Sequence, residues 1–184
     1  MIWVLSGPES SGKSTLANQL SAHLGWPVFP ELARQHLEHQ ISTTKDLEYR
    51  YKPSDLLYLL QQQLLIEQSI IQSDNVLLDT DLLTLIVWWQ EKYGPLPAPF
   101  QYAWRTQQPR VHLLCQPDLP WQADPLRENP RDREHLFERY LEQLTQRGCR
   151  YGLCRGEGKN RLQSALLHIA DQELIKAAVQ NSGS

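Results

Sequence analysis

A glycine-rich loop near the N-terminus constrains the fold of this chain more than any other feature. It reads Gly-Pro-Glu-Ser-Ser-Gly-Lys-Ser-Thr at positions 7–15, between the apolar run 2–5 and a helix-like run that starts at Leu16. Gly7 and Gly12 allow backbone angles and close approaches that a Cβ would prevent, so N–H groups of the loop and of the following helix can surround phosphates. The sequence therefore predicts a strand, loop and helix unit that binds a nucleoside triphosphate.

The chemistry of this loop gives tasks to individual side chains. The ammonium of Lys13 is expected to neutralise charge at the β- and γ-phosphates of ATP, and the hydroxyl of Ser14 is expected to coordinate Mg²⁺. The residues predicted to hold ATP are Gly7, Glu9, Ser10, Ser11, Gly12, Lys13, Ser14 and Thr15. Lys13 is also predicted to take part in catalysis, and ATP and Mg²⁺ are the predicted cofactors.

Length, charge and cysteine content narrow the class of protein. The 184 residues are expected to form one domain at 1–180 with a disordered tail at 181–184. A net charge of −3 and the lack of a long basic run argue against a nucleic-acid surface, which needs clustered Lys and Arg. Three cysteines without C-x-x-C spacing indicate neither a disulfide framework nor a zinc site, so the expected location is the reducing cytoplasm. No signal peptide or membrane span is predicted, because no apolar run approaches about 18 residues.

Strand-like and helix-like runs alternate along the chain, which predicts an α/β fold with a parallel sheet flanked by helices. The strands are expected at 2–6, 27–30, 75–79, 111–115 and 151–154. The helices are expected at about 13–24, 31–41, 53–73, 81–92, 134–146 and 161–179, with a polar connection at 42–52. The segment 116–133 is rich in Pro, Asp and Arg and has no clear periodicity, and it is predicted to be a lid.

Three acidic residues follow predicted strands. Glu31 follows the second strand, and Asp79 and Asp81 follow the third. Ligands of open parallel sheets bind outside the carboxyl ends of the strands, so one acid can organise Mg²⁺ while another accepts a proton from an attacking hydroxyl. Asp79 is predicted to hold Mg²⁺ together with Ser14, and either Glu31 or Asp79 is predicted to be the base. Glu31 and Asp81 are also predicted to contact the substrate.

Two alternatives stay open for these acids. Asp79 or Asp81 is also suited to cap the helix that begins there, and this capping role fits Asp81 better. Glu31 is also suited to be a solvent-exposed acid in the first turn of a helix, where the helix dipole favours a negative charge.

The predicted lid carries the residues expected to close over the transferring phosphate. Arg127 is predicted to be catalytic and Arg131 to bind substrate, because guanidinium groups contact phosphate oxygens in pairs and stabilise the charge of a loose transition state. Trp121 offers a flat face to a substrate ring. Alternatively, Arg131 and Arg133 form surface ion pairs with acids of the following helix.

Other residue types that often carry chemistry are interpreted as structural. The six histidines have no metal-ligand spacing. Trp88 and Trp89 are adjacent on a predicted helix, so at least one of them is expected in the core.

Several motifs recur together in one known family. They are Gly-x-Glu-Ser-Ser-Gly-Lys-Ser-Thr at 7–15, Glu31-x-x-Arg34, Asp55 with glutamines at 61–63, Leu-Asp-Thr-Asp at 78–81, and Pro-Asp-Leu-Pro-Trp at 117–121 with Asp124 and Arg127. In this combination the chain resembles the nicotinamide riboside kinase domain of the NadR family over nearly its whole length. The resemblance implies a P-loop kinase fold, Mg-ATP as phosphoryl donor and transfer to the 5′-hydroxyl of a pyridine riboside, giving nicotinamide mononucleotide.

The chain departs from that family in two respects. Bifunctional NadR proteins join this domain to an adenylyltransferase, and no such segment precedes Met1, so the chain is expected to stop at the mononucleotide. Family members also tend to place an aromatic residue just before the acid that corresponds to Glu31, where it can face the pyridine ring, but here Pro30 stands there. The ring is therefore expected to contact Trp121 or Tyr58, or else the acceptor differs.

The sequence thus indicates a three-layer P-loop kinase that acts on a small nucleoside. Arg34 is expected to contact substrate or phosphate, and adenine is expected to lie against the loop 155–161. One alternative is a kinase for another nucleoside or small metabolite. Another is an ATP-dependent switch protein, whereas a GTP switch is disfavoured because the chain has no Asn-Lys-x-Asp run to recognise guanine.

Overall fold

The computed structural model describes residues 1–46, 49–70, 75–122 and 132–182 of the chain. Five strands form one sheet: β1 Ile2–Ser6, β2 Val28–Phe29, β3 Val76–Asp79, β4 Arg110–Cys115 and β5 Arg150–Cys154. Every strand pair is parallel, and the order across the sheet is β2-β3-β1-β4-β5. The predicted parallel sheet is therefore confirmed.

Helices connect the strands and cover the sheet. In the described ranges they are α1 Lys13–Leu24, α2 Leu32–Thr44, α3 Pro53–Ser69, α4 Leu82–Tyr93, α5 Ala98–Thr106, α6 Arg133–Gln146 and α7 Lys159–Ser182. Helix α2 continues three residues into the predicted polar connection, and α3 ends at Ser69 instead of near residue 73. Helix α7 includes residues 181 and 182 of the predicted tail, whereas 183 and 184 lie outside the described residues.

Three layers result from the alternation of apolar side chains along the buried strands. Trp3 and Leu5 point to the face that packs on α1 and α7, where Leu16, Leu20 and Ile169 are buried. The opposite face contains two further clusters. One includes Ile2 and Leu78 of neighbouring strands, and the other includes Leu83 of α4 and Leu144 of α6. Continuous apolar strands of this kind are typical of a parallel sheet covered on both faces. The predicted three-layer architecture is therefore confirmed.

A fourth core lies beside the sheet and joins the helices α2 to α5. It buries Leu56, Leu59 and Leu60 of α3 against Leu82 and Ile86 of α4. Phe100 and Ala103 of α5, a helix that the sequence did not predict, close this core. In the part of the chain that the structure describes, no helix has the length and apolar character needed to cross a membrane.

Candidate nucleotide and acceptor site

A cavity of about 440 Å³ opens beside the loop that follows β1. Its wall also contains Glu31, the residue just before α2, and Arg34 in the first turn of α2. Every residue predicted to hold ATP lies on this wall, namely Gly7, Glu9, Ser10, Ser11, Gly12, Lys13, Ser14 and Thr15. The cavity lies at the carboxyl edge of the sheet, since the loop continues β1 and Glu31 follows β2. The fold therefore brings together the loop and two residues predicted to act on the substrate.

The loop requires glycine at two positions for reasons visible in its geometry. Gly7 has φ +133, and a Cβ built there would lie 2.6 Å from the backbone oxygen of Cys115. Gly12 has φ +77, and its Cβ would lie 2.8 Å from Cδ1 of Leu119. Gly12 is also the N-cap of α1, so it contributes no capping side chain to the first N–H groups of that helix. Those N–H groups stay available to an anion.

Lys13 is held across the same loop. Its Nζ donates hydrogen bonds to the backbone oxygens of Gly7 at 2.9 Å and Pro8 at 2.8 Å. These bonds place the ammonium over the loop, beside the cavity that its side chain lines. The ammonium thus lies at the loop that is expected to bind phosphates, with two backbone oxygens as its present partners.

Glu31 is an unusual acid because most of its side chain is enclosed. It precedes α2 as the N-cap, and 19% of its side chain is exposed. Burial raises the pKa of Glu31, whereas the positive charge of Lys13 lowers it and the nearby Asp79 raises it. The interpretation of Glu31 as a solvent-exposed acid is wrong, because its carboxylate lines the cavity and feels both the loop lysine and Asp79.

Asp79 ends β3 directly beside β1. The strand register pairs it with Leu5, two residues before the loop begins. It is 5% exposed, and its Oδ1 has no hydrogen-bond partner among the described residues. A buried carboxylate oxygen without a partner is costly unless a ligand or water satisfies it, and oxygen donors of this kind suit Mg²⁺.

Asp81 has a different environment from the one predicted for a substrate ligand. It is 2% exposed, and its Oδ1 accepts the N–H of Leu83 at 2.9 Å as the N-cap of α4. Its Oδ2 accepts a hydrogen bond from Arg110 at 2.9 Å. The capping alternative for Asp81 is therefore confirmed. Neither Asp81 nor Asp79 is among the residues that line the cavity, but only Asp79 has a carboxylate oxygen without a hydrogen-bond partner among the described residues.

Tyr58 and Asp55 also lie away from the main cavity. Tyr58 is 46% exposed, packs on the ring of His36 and lines a separate cavity of about 240 Å³ between α2 and α3. Asp55 accepts hydrogen bonds from the backbone N–H of Lys52 and the hydroxyl of Tyr49, both at 2.7 Å. Asp55 thus stabilises the start of α3. This structural role accounts for its presence among the motifs shared with the NadR family.

The predicted lid is described only at its two ends. Pro120 and Gln122 line the main cavity on either side of Trp121, whose ring lies 5.9 Å from the guanidinium carbon of Arg133. Arg133 donates to the backbone oxygen of Leu119 at 2.8 Å, which holds the start of the lid against α6. The roles of Arg127 and Arg131 stay predictions, because both residues lie outside the described part of the chain.

Several residues on the cavity wall were not predicted to bind a ligand, among them Thr84, Trp88 and Tyr140. Thr84 and Trp88 are four residues apart on α4 and share one face of the helix. Their helical spacing after the acids that end β3 could have predicted that both face the cavity. The ring of Trp88 stacks on Tyr51, with ring centroids 5.2 Å apart and planes 18° apart. Its neighbour Trp89 packs on Phe100; both tryptophans are partly buried against the core beside the sheet, and neither is fully buried in it.

Arg161 joins the far end of the cavity to the loop. It is 3% exposed and donates to the backbone oxygens of Ser11 and Gly156, both at 2.7 Å. Glu157 and Gly158, in the predicted adenine loop, line the cavity beside it. The cavity therefore extends from the phosphate loop towards β5 and α7 on one side and towards α2 and α4 on the other.

Comparisons with known proteins agree with this architecture. A family model described as an AAA domain matches residues 2–161. The structure is similar to the NadR protein in complex with NR, with a TM-score of 0.64 and 18% sequence identity over 92% of this chain and 50% of the NadR chain. Thus the chain spans about half the length of that protein. No curated protein matches the sequence significantly.

Two further solved structures align with this chain over nearly the full length of both proteins. One is deoxyadenosine kinase from M. mycoides with bound dCTP, with a TM-score of 0.62, 12% identity and coverage of 93% of this chain and 100% of that chain. The other is thymidylate kinase from Ehrlichia chaffeensis, with a TM-score of 0.57, 12% identity and coverage of 95% and 98%. The predicted P-loop kinase fold is confirmed, and the resemblance to NadR holds at the level of the fold.

Proposed function

We propose that this chain, which belongs to the AAA domain family, is an ATP-dependent kinase that phosphorylates the 5′-hydroxyl of nicotinamide riboside. The observation that carries the proposal is one continuous cavity that joins the phosphate loop to Glu31, Arg34 and Trp88. A phosphate donor and a ring-bearing acceptor can lie end to end in such a cavity. The likeness to the NadR protein in complex with NR supports this choice of acceptor.

The donor half of the site would hold Mg-ATP. Backbone N–H groups of the loop and of α1 would surround the phosphates, and the ammonium of Lys13 would leave the backbone oxygens of Gly7 and Pro8 to contact them. Ser14 and Asp79 would hold Mg²⁺, since Asp79 offers a buried oxygen without a protein partner. When bound, Mg²⁺ neutralises charge that develops on the phosphate oxygens.

The acceptor half requires a base and a ring contact. Glu31 is proposed as the base, because its raised pKa makes it a better proton acceptor than an ordinary glutamate. Arg34, whose Nε lies 3.9 Å from Glu31 Oε2, would contact the substrate or the transferring phosphate. Arg127 and Arg131 would add positive charge from the lid, as their residue types suggest.

Trp88 is proposed as the ring contact in place of Tyr58, which lines the other cavity. A pyridinium ring over an indole gains a cation–π contribution, and the carboxylates of Glu31 and Asp79 favour a nearby positive charge. Trp121 lies at the edge of the cavity, between two residues of its wall, and is a second candidate that reaches the ring if the lid closes.

The experiment that tests this function is ADP release measured with and without acceptors. We expect slow release with ATP alone and a large acceleration with nicotinamide riboside. Release that does not depend on any acceptor would favour the ATP-dependent switch. Acceleration by a deoxynucleoside but not by nicotinamide riboside would favour a kinase for another nucleoside, which the likeness to deoxyadenosine kinase also supports.

A further inference from the structure

A buried ion-pair cluster lies behind Asp79 and does not contact the cavity. Arg110, the first residue of β4, contacts Glu67 of α3 through two parallel hydrogen bonds of 2.5 and 2.9 Å. The same guanidinium donates to Asp81 Oδ2 at 2.9 Å. The exposed fractions of these side chains are 3% for Arg110, 7% for Glu67 and 0% for Asp81. One cation thus joins α3, β4 and the turn that follows β3.

Stability alone is a weak reason for such a cluster. Removing charges from water costs several kcal/mol per ion, and buried ion pairs can often be replaced by apolar side chains without loss of stability. Here two carboxylates share one guanidinium, so the three groups retain a net negative charge. Their geometry is a better explanation than their contribution to the free energy of unfolding.

The turn that the cluster holds is strained. Thr80, between Asp79 and Asp81, has φ +74, which places a β-branched residue in the left-handed region. This conformation costs of order 1–3 kcal/mol and persists only when its surroundings fix it. On one side the N–H of Thr80 donates to the backbone oxygen of Leu5 at 3.1 Å. On the other side Asp81 is fixed by Arg110 and by the N–H of Leu83.

We propose that Asp81, together with Arg110 and Glu67, is a positioning group that holds the Thr80 turn and thereby aims the carboxylate of Asp79 at the metal of Mg-ATP. This inference rests on the proposed function, in which Asp79 organises Mg²⁺. Asp81 touches neither nucleotide nor acceptor. Its effect is to orient the carboxylate of Asp79, two residues earlier in the chain.

The test is the affinity of Mn²⁺ for the complex of the protein with a non-hydrolysable ATP analogue, followed by electron paramagnetic resonance. Asp81→Asn keeps an oxygen for the N–H of Leu83 and loses the charge that Arg110 contacts. We expect the Kd of Mn²⁺ to rise roughly tenfold, in the range seen for groups that orient a metal ligand. The affinity for the analogue without metal should stay within about twofold, and kcat should fall while the KM for ATP is unchanged.

Two further variants keep the result interpretable. Glu67→Gln removes the more distant carboxylate and should shift the Mn²⁺ Kd in the same direction by a smaller factor, even if Asp81→Asn fails to fold. Glu91→Gln makes the same chemical change in α4, where Glu91 pairs with Arg139 at 2.7 Å on the surface, and should leave the Mn²⁺ Kd unchanged.

Asp79→Asn is the reference that separates the two proposals. If Asp79→Asn weakens Mn²⁺ binding but neither Asp81→Asn nor Glu67→Gln does, the positioning role is overturned and the proposed function stands. If Asp79→Asn itself leaves the Mn²⁺ Kd unchanged, the metal role of Asp79 is wrong and the positioning role falls with it. Weaker Mn²⁺ binding in all three variants, with unchanged binding in Glu91→Gln, supports both proposals.

Discussion

Glu31 Oε2 lies 3.9 Å from Arg34 Nε, one helical turn further along α2, and both side chains line the large cavity. Burial raises the pKa of Glu31, and Arg34 is one of the positive groups that limit the rise. Burial, Lys13 and Asp79 have larger effects on the pKa of Glu31, and Arg34 adds a further lowering contribution.

The first prediction concerns the acid limb of the pH profile of kcat. A base works in its deprotonated form, so turnover falls as the pH drops through its pKa, and for Glu31 this limb should lie above the ordinary range of a glutamate. Arg34→Ala removes a group that lowers the pKa of Glu31, so the limb should move to higher pH. The measurement is kcat from pH 4 to pH 9 at saturating substrates.

Glu31→Gln is the control for that profile. It should lose the acid limb and about 10² to 10⁴ in turnover, the usual loss for a general base, while its Mg²⁺ requirement stays unchanged. A nearly fully active Glu31→Gln protein, together with an Asp79→Asn protein that is inactive at every Mg²⁺ concentration, would mean that Asp79 is the base.

The second prediction is that ATP binding depends on Lys13. Saturating ATP should stabilise the wild type by about 2.7 kcal/mol when its concentration is 100 times Kd. Lys13→Ala should lose most of this gain, because the ammonium held over the loop no longer meets the phosphates. Thermal unfolding with and without Mg-ATP measures the shift, and Arg105→Ala, which also removes one positive charge but at an exposed residue of α5 away from the cavity wall, should keep it. An undiminished shift in folded Lys13→Ala protein contradicts the assignment of the loop.

The third prediction separates three glycines by what a Cβ would meet. Gly25→Ala places its Cβ in open space at φ +72, so it should cost only the strain of the left-handed conformation, about 1 kcal/mol. Gly12→Ala adds a contact with a flexible leucine side chain. Gly7→Ala meets backbone oxygen at 2.6 Å and should be the most destabilising. Urea unfolding of the three variants gives the order, and equal losses would show that the loop yields more easily than its packing indicates.

Sequence patterns located most of this fold because the informative signals are local. The apolar runs of β1, β3 and β4 are buried on both faces, so they are visible as continuous stretches. Helix α5 was missed because prolines at 95, 97 and 99 obscure a short helix whose buried face consists of Phe100 and Ala103 alone. Proline in the first turn is compatible with a helix, and only the packing of those two residues decides the outcome.

Site residues that directly follow strands could be predicted from the sequence. Site residues that reach the cavity through the packing of helices could not. The loop and Glu31 come directly after strands, so the sheet edge brings them together. Asp79 and Asp81 are two residues apart and chemically alike, so the sequence does not distinguish their roles. Their surroundings do, because Asp81 contacts Arg110, which is distant in the sequence, whereas Asp79 keeps an oxygen without a partner among the described residues. Trp88 and Trp89 both pack against the core beside the sheet, but only Trp88 also lines the cavity.

The fourth prediction concerns the ring contact. Trp88→Leu should lower kcat/KM for nicotinamide riboside by roughly tenfold relative to neutral nucleosides, the factor that corresponds to about 1.4 kcal/mol of cation–π stabilisation. Trp89→Leu is the matched control, because its ring packs on Phe100 and should leave the ratio between acceptors unchanged. If Trp121→Ala erodes the preference and Trp88→Leu does not, the ring contact comes from the lid.

The most direct test of the account is a competition assay in which the purified protein receives Mg-ATP and equal concentrations of nicotinamide riboside, uridine, cytidine and adenosine. Mass spectrometry of the monophosphates gives the ratios of kcat/KM in one vessel. The account predicts nicotinamide mononucleotide as the main product, by roughly tenfold over each neutral nucleoside if the cation contributes about 1.4 kcal/mol. Rapid phosphorylation of an ordinary nucleoside with no nicotinamide mononucleotide would contradict it, and would identify Pro30 as the departure that matters.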